Sequence, residues 1–370
     1  MTTTPTLAAP TPGLTGRQRT KELNPGWFAS VMGTGILAVN TYNNPGGWAG
    51  LAGTAHAIGA ALAVLTYLFA AILLVGNGVR WVSHTQAALT DFRHPVKGAM
   101  HATLPGGLLV TAVMTSVISP TLFTPLVATW IIAILVTVGG ILALVMGVGF
   151  AVTLFTGQPP AESVNGGWFI PPVVTIIIPM GLAPLVAKAD ASIAGLLIVA
   201  SYALYGMGFL LFVLTLGLVY DRLVLHPLPP APLAPTVWIG LGPIGVAALV
   251  PLVLAKAGAG LWPALAPTVT LLTRLASTTV WGFGLWWLAL AVVLLVRYLR
   301  KGGVPFHLGW WAFVFPLGAY TAATTTLARS WQSPVLEATS LVLYLGLLTA
   351  WVIVGIRTAA GLRSGRIWSS

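Results

Sequence analysis

Acidic side chains are scarce in this chain of 370 residues, and their placement limits its chemistry. There are six: Glu22, Asp91, Glu162, Asp190, Asp221 and Glu337. None falls near the middle of an apolar run. A cation pathway or a carboxylate proton relay places acids within the apolar layer, so both are disfavoured, whereas a path for anions is favoured. A membrane enzyme handling diphosphate would need clustered carboxylates for magnesium, and no paired-aspartate motif is present. Cysteine is absent, which removes disulfides, thiolate chemistry and cysteine-ligated metals. No histidine spacing resembles a metal site, and no cofactor is expected. What remains inside the apolar runs is mostly neutral hydroxyl: Ser30, Thr34, Thr103, Thr111, Thr175, Thr321 and Thr326. Hydroxyls and amides freed at helix breaks can donate to an anion without holding it too tightly to leave. The plainer role for each is a bond to its own helix or to a neighbouring one. His56 reads as a structural hydrogen-bonder on an outer helix, and His101 as a candidate for the mouth of a path. Arg93 and His94 either draw anions to that mouth or only enforce topology.

Elements that would position these groups follow from composition. Hydrophobic residues make up 57% of the chain and charged residues 6%, against roughly 25% charged in soluble domains. Runs long enough to cross a bilayer core predict ten spans, at 25–42, 51–76, 96–118, 125–154, 168–187, 191–220, 233–254, 276–299, 308–328 and 334–358. Residues 1–24 are expected to form a disordered cytoplasmic tail and 359–370 a cytoplasmic C-terminal tail. The net charge of +11 does not point to nucleic acid, because its basic residues sit in alternate loops. Thirteen of the 17 Lys and Arg residues fall on the side of the two termini. By the positive-inside rule both termini are cytoplasmic, which requires an even number of spans. The plasma membrane is the expected location.

The odd-numbered spans share a pattern. Near the middle of each lies a helix-weakening pair: Gly33 and Gly35, Pro105 and Gly107, Pro179 and Gly181, Pro243 and Gly245, Pro316 and Gly318. The even-numbered spans have no interior proline. Proline removes an amide donor and clashes with the preceding turn, and glycine permits close backbone approach. Five such pairs, in alternate spans only, indicate a two-helix repeat. The expected fold is all-α, with ten transmembrane helices arranged as five hairpins around a central pore in pseudo-fivefold symmetry. The odd helices would be innermost, since irregular backbone at membrane depth must be buried or line a cavity. An inverted five-plus-five repeat would pair spans one and three with spans six and eight, and these lack the break.

Three segments carry a family resemblance. Asn24-Pro25-Gly26-Trp27-Phe28, running into Met32-Gly33-Thr34-Gly35, resembles the opening helix of the tellurite-resistance/dicarboxylate transporter family. Asp91-Phe92-Arg93-His94-Pro95, leading to Thr103-Leu104-Pro105-Gly106-Gly107, is similar to that family's loop into its third helix, and Trp310-Trp311-Ala312-Phe313-Val314-Phe315-Pro316 to its ninth helix. The family includes tellurite-resistance channels, plant slow anion channels, fungal malate permeases and sulfite exporters. The resemblance implies five hairpins around a pore, a homotrimer with one pore per subunit, and a ninth-helix phenylalanine plugging the pore. Phe315 and Phe313 are the candidates. Phe315 is preferred because it shares a helical stripe with the small residues Gly318, Ala322 and Thr326. The implied cargo is a C4-dicarboxylate such as malate first, then sulfite, tellurite-related anions, chloride and nitrate. A membrane-embedded enzyme and a receptor or scaffold subunit are the alternatives, and ion flux by the purified protein separates them from transport.

Overall fold

The computed structural model describes residues 15–368. A short helix α1 (Gly16–Lys21) opens it and occupies part of the segment expected to be a disordered tail. Thr15 and Gln18 cap it reciprocally, and Arg80 Nε donates to the Lys21 carbonyl at 3.1 Å. Residues 1–14 lie outside the description. Then follow α2 (Phe28–Tyr42), α3 (Ala52–Ser83), α4 (Thr85–Phe92), α5 (Lys97–Met100), α6 (Thr103–Leu122), α7 (Pro125–Gly157), α8 (Ile170–Val186) and α9 (Ala191–Leu225). The chain continues through α10 (Leu241–Gly258), α11 (Ala266–Arg300), α12 (Val314–Trp331) and α13 (Pro334–Ser364). No strand occurs among the described residues.

Two kinds of long helix alternate. Helices α3, α7, α9, α11 and α13 run for 31 to 35 residues, about 50 Å at 1.5 Å per residue, and expose large apolar side chains such as Ile72, Phe155, Leu214, Val293 and Ile356. Helices α2, α6, α8, α10 and α12 have 15 to 20 residues and are buried along most of their length. In a water-soluble protein the exposed apolar faces would carry a large penalty, whereas lipid leaves them solvated. Eight helical stretches among the described residues are long and apolar enough to cross a membrane. Helix α2 is shorter, and α12 carries Thr321, Thr324, Thr325 and Thr326; neither stretch is among the eight.

The short helices make a closed circuit of contacts: α2 packs on α6, α6 on α8, α8 on α10, α10 on α12, and α12 back on α2. Each also packs on the long helix that follows it. The glycines of the sequence repeat mark the crossings. A Cβ on Gly245 would meet the α12 backbone at Tyr320 N at 2.5 Å, and one on Gly318 would meet Ile36 of α2 at 2.5 Å. A Cβ on Gly181 would collide with Val136 of α7, one on Gly33 would meet Trp311 and Val314 at 3.0 Å, one on Gly35 would meet Val110 of α6 at 3.0 Å, and one on Gly107 would meet Phe28 at 3.1 Å. Small residues at such crossings let backbones approach where lipid gives no hydrophobic drive to associate.

The prolines act at a different depth from that read in the sequence. Pro105, Pro243 and Pro316 stand in the first turn of α6, α10 and α12, where a missing amide breaks no bond; of the four prolines in the repeat, Pro179 alone is interior to its helix. The irregularity comes just before the α-helices, as 3₁₀ turns at Pro25–Trp27, Gly166–Phe169, Ala231–Gly240 and Leu308–Phe313. Several boundaries also move, those of α3, α9, α11 and α13 among them. Helix α11 begins ten residues before the expected start at 276, because Arg274 lays its guanidinium over Trp331 at 5.0 Å and the early threonines bond carbonyls of their own helix. Helix α13 continues to Ser364, through half of the expected C-terminal tail; residues 369–370 lie outside the description.

Where the first and last pairs of helices meet, polar bonds join the chain's ends. Asn40 Nδ2 donates to the Gly318 carbonyl at 3.0 Å, and Trp351 Nε1 donates to Thr34 Oγ1 at 3.1 Å. Thr41 and Tyr344 share a 3.0 Å bond, and the Gly46 amide donates to Glu337 at 3.0 Å.

Candidate functional site

A cavity of about 250 Å³ lies where the five short helices begin. Every one of them, or the turn leading into it, contributes: Gly26 and Met32 from the first, Lys97 and Thr103 from the second, Ile170 from the third, Thr236 and Gly242 from the fourth, Trp311 and Phe315 from the fifth. Helix beginnings carry unpaired amides and about half a positive charge each. Five of them around one space favour an anion.

Three of these beginnings are built alike. Asn24 Oδ1 accepts from the Gly26 amide at 2.8 Å, Asn165 Oδ1 from the Gly167 amide at 2.8 Å, and His307 Nδ1 from the Gly309 amide at 3.0 Å. The motif reads Asn-Pro-Gly-Trp, Asn-Gly-Gly-Trp and His-Leu-Gly-Trp, and all three capping residues line the cavity. His94 does similar work ahead of α5, its Nδ1 accepting from the Val96 amide at 3.1 Å. His307 is fixed in orientation, because Nδ1 accepts from Gly309 and Nε2 therefore donates to the Pro232 carbonyl at 2.7 Å. Burial holds its imidazole below the usual pKa, while the Pro232 bond acts in the other direction.

Lys97 is the one full charge in the wall among the described residues. Its Nζ lies 3.2 Å from Asp91 Oδ1, and the other Asp91 oxygen pairs with Arg80. Burial opposes ionisation of Asp91, but hydrogen bonds from Arg80 and Lys97 outweigh it and hold the carboxyl below its ordinary range. Arg93 and His94 are exposed and line no part of the cavity. His101 does not reach it either: it is buried between the rings of Trp81 and Phe92, with Nδ1 3.3 Å from the Lys97 carbonyl. The cationic residue of this segment that meets the cavity is Lys97, which sequence reasoning passed over.

The hydroxyls are committed to backbone. Ser30 donates to the Trp27 carbonyl, Thr111 to Gly107, Thr175 to Pro171, Thr321 to Leu317 and Thr326 to Ala322, at 2.7 to 3.1 Å. Thr34 accepts from Trp351 of α13. Thr103 lines the cavity, yet its hydroxyl serves the Met100 and Pro25 carbonyls at 2.7 and 2.9 Å.

The two phenylalanines part company. Phe315 is 6% exposed and forms cavity wall, with its ring over Gly242. Phe313 lies outside the lining, edge-on to Trp238 at 5.4 Å and to Trp310 at 5.7 Å. Beside Phe315 the indole of Trp311, 3% exposed, has a buried Nε1 donor with no partner. The repeated Asn/His-x-Gly-Trp motif was the signal in the sequence that could have located Asn165 and His307 beforehand.

The chain is similar to known proteins along most of its length. An uncharacterized transporter of Methanocaldococcus jannaschii is 31% identical over 353 residues, covering 94% of this chain and 96% of the relative. Sulfite efflux pumps of Trichophyton rubrum and Arthroderma otae are 25% and 26% identical, each match covering 90% of this chain and 88% of the pump. The family described as voltage-dependent anion channel matches residues 22–359. A ring of helix beginnings around a basic cavity is therefore found in a chain that belongs to the voltage-dependent anion channel family.

Proposed function

We propose that this protein passes C4-dicarboxylate or sulfite-type anions along the axis of the short helices, without catalysis, and that Phe315 obstructs the path. The observation carrying the proposal is the position of Phe315 in the wall of the cavity on which all five short helices converge. In this reading ten helices cross the bilayer as five hairpins in pseudo-fivefold symmetry, with α2 and α12 as the two spans of low length or hydropathy. Both termini face the cytoplasm of a plasma-membrane protein, and three copies assemble with one pore each. The relatives from Trichophyton rubrum and Arthroderma otae are sulfite efflux pumps, which brings sulfite level with malate. Chloride, nitrate and tellurite-related anions follow.

The test is anion flux into liposomes bearing the wild type or Phe315→Ala, with chloride, nitrate, sulfite and malate compared. A gain of about tenfold, equal to roughly 1.4 kcal/mol of barrier, is expected in the variant, and the anion ranking narrows the cargo. If the folded variant conducts no better than a silent wild type, the gated-pore reading is lost.

A further inference from the structure

The wall of the axial cavity holds a strong donor that no acceptor among the described residues uses. Trp311 is buried in that wall, and its Nε1 is sealed without a partner. The indoles of Trp168, Trp281, Trp287 and Trp351, by contrast, all donate to a carbonyl or a hydroxyl. An orphaned buried N–H is rare because it forfeits its hydration for nothing. A Cβ on Gly33 would meet Cε3 of the Trp311 indole at 3.0 Å. That edge therefore lies against α2, and the opposite edge, with Nε1, turns away from it. Two more donors line the same cavity. Asn24 spends Oδ1 on the Gly26 amide, while its Nδ2 has no acceptor among the described residues. Lys97 touches Asp91, but an ammonium has three N–H groups to give. The turn at Pro25–Trp27 stands between these flanks: Met100 of α5 and Leu308, three residues before Trp311, each lie 3.9 Å from where a Gly26 Cβ would stand.

We propose that Trp311 Nε1 is the recognition donor of the axial path, and that with Asn24 and Lys97 it selects small oxyanions whose oxygens accept hydrogen bonds strongly. The proposal rests on the reading of this cavity as an anion path. Phe315 stands four residues after Trp311 in the same wall, so the ring movement that opens the path also uncovers the donor. A passing anion then meets an N–H for which no carbonyl competes. One neutral donor is enough to discriminate among anions and too weak to trap them, as conduction requires. The hydroxyls cannot take this part, since Ser30, Thr103, Thr111 and Thr175 donate to carbonyls. An indole that served only as packing would affect every anion alike.

Nitrate and perchlorate separate the two roles, because they carry equal charge and differ in how well their oxygens accept. Flux of each into liposomes is measured for full-length Phe315→Ala and for the double variant with Trp311→Phe. The nitrate-to-perchlorate ratio is expected to fall about fivefold with loss of the indole, the weight of one hydrogen bond. An unchanged ratio overturns the proposal, whatever happens to the absolute rates. If neither protein conducts, the transport reading fails on its own account, and calorimetric titration of nitrate, sulfite and perchlorate into the same purified proteins decides the site. Nitrate and sulfite binding weakened by Trp311→Phe upholds it; equal binding, or none, overturns it. Should Trp311→Phe fail to fold, benzothienylalanine at position 311 keeps the ring shape and puts sulfur in place of the N–H, with the same fall in ratio expected.

Discussion

At the scale of single residues, the two neighbouring phenylalanines serve as each other's control. Phe315→Ala empties cavity wall and is expected to raise flux. Phe313→Ala removes an edge-to-face partner of Trp238 and Trp310 and is expected to destabilise by about 3 kcal/mol with no gain in flux, which thermal unfolding and liposome assays together can check. A flux gain from Phe313→Ala alone would reverse the assignment. Lys97 makes a different kind of prediction. As the cavity's one charged side chain among the described residues, it draws anions through a field that salt screens within about 10 Å at 0.1 M. Lys97→Gln should slow anion entry several-fold in dilute salt and hardly at all near 1 M; a loss independent of ionic strength would mean that Lys97 acts through structure. Sequence reading reached Phe315 through its stripe of small neighbours. It could not tell Lys97 from Arg93 or His94, because the turn between α4 and α5 decides which of them meets the cavity. The hydroxyls were legible as residues but not as roles: chemistry allows them to serve an anion, and nearby carbonyls claim the protons of all the named ones but Thr34.

At the scale of elements, Asp91 joins α3, α4 and α5 by holding Arg80 and Lys97 at once. Its pKa is lower in the folded protein than in the unfolded chain, where it is about 3.9. The stabilisation is therefore complete above that value and disappears as pH falls through the lower folded value. Melting curves should show the difference between wild type and Asp91→Asn constant from pH 7 to about 5 and shrinking below about 4. A difference that changes between pH 7 and 5 would assign it to another group. The glycine and proline repeat was visible in the sequence as a two-helix period, since its spacing survives in the primary structure. Its physical use was not visible. Glycines at 245 and 318 bring backbones together across the circuit, and prolines at 105, 243 and 316 start helices rather than bend them. That distinction depends on where 3₁₀ winding gives way to α, a balance of local geometry that spacing alone does not report.

At the scale of the whole molecule, the ten-span reading has a direct test in a chain that lacks cysteine. Single cysteines at Arg93 and Ser364 should react with an impermeant thiol reagent from one face of the membrane and a cysteine at Lys188 from the other. Labelling of Arg93→Cys and Lys188→Cys from the same face would refute the topology. The bonds between the two ends of the chain carry a further consequence, for biogenesis. Insertion into a membrane proceeds from the N-terminus, so α2 arrives first, while Gly318, the long-range acceptor for Asn40, arrives almost last. Until then Asn40, in the last turn of α2, has only its own Ile36 carbonyl as a partner for its side-chain amide. The nascent chain is therefore an open arc in which α2 stays incompletely paired until α12 and α13 are delivered.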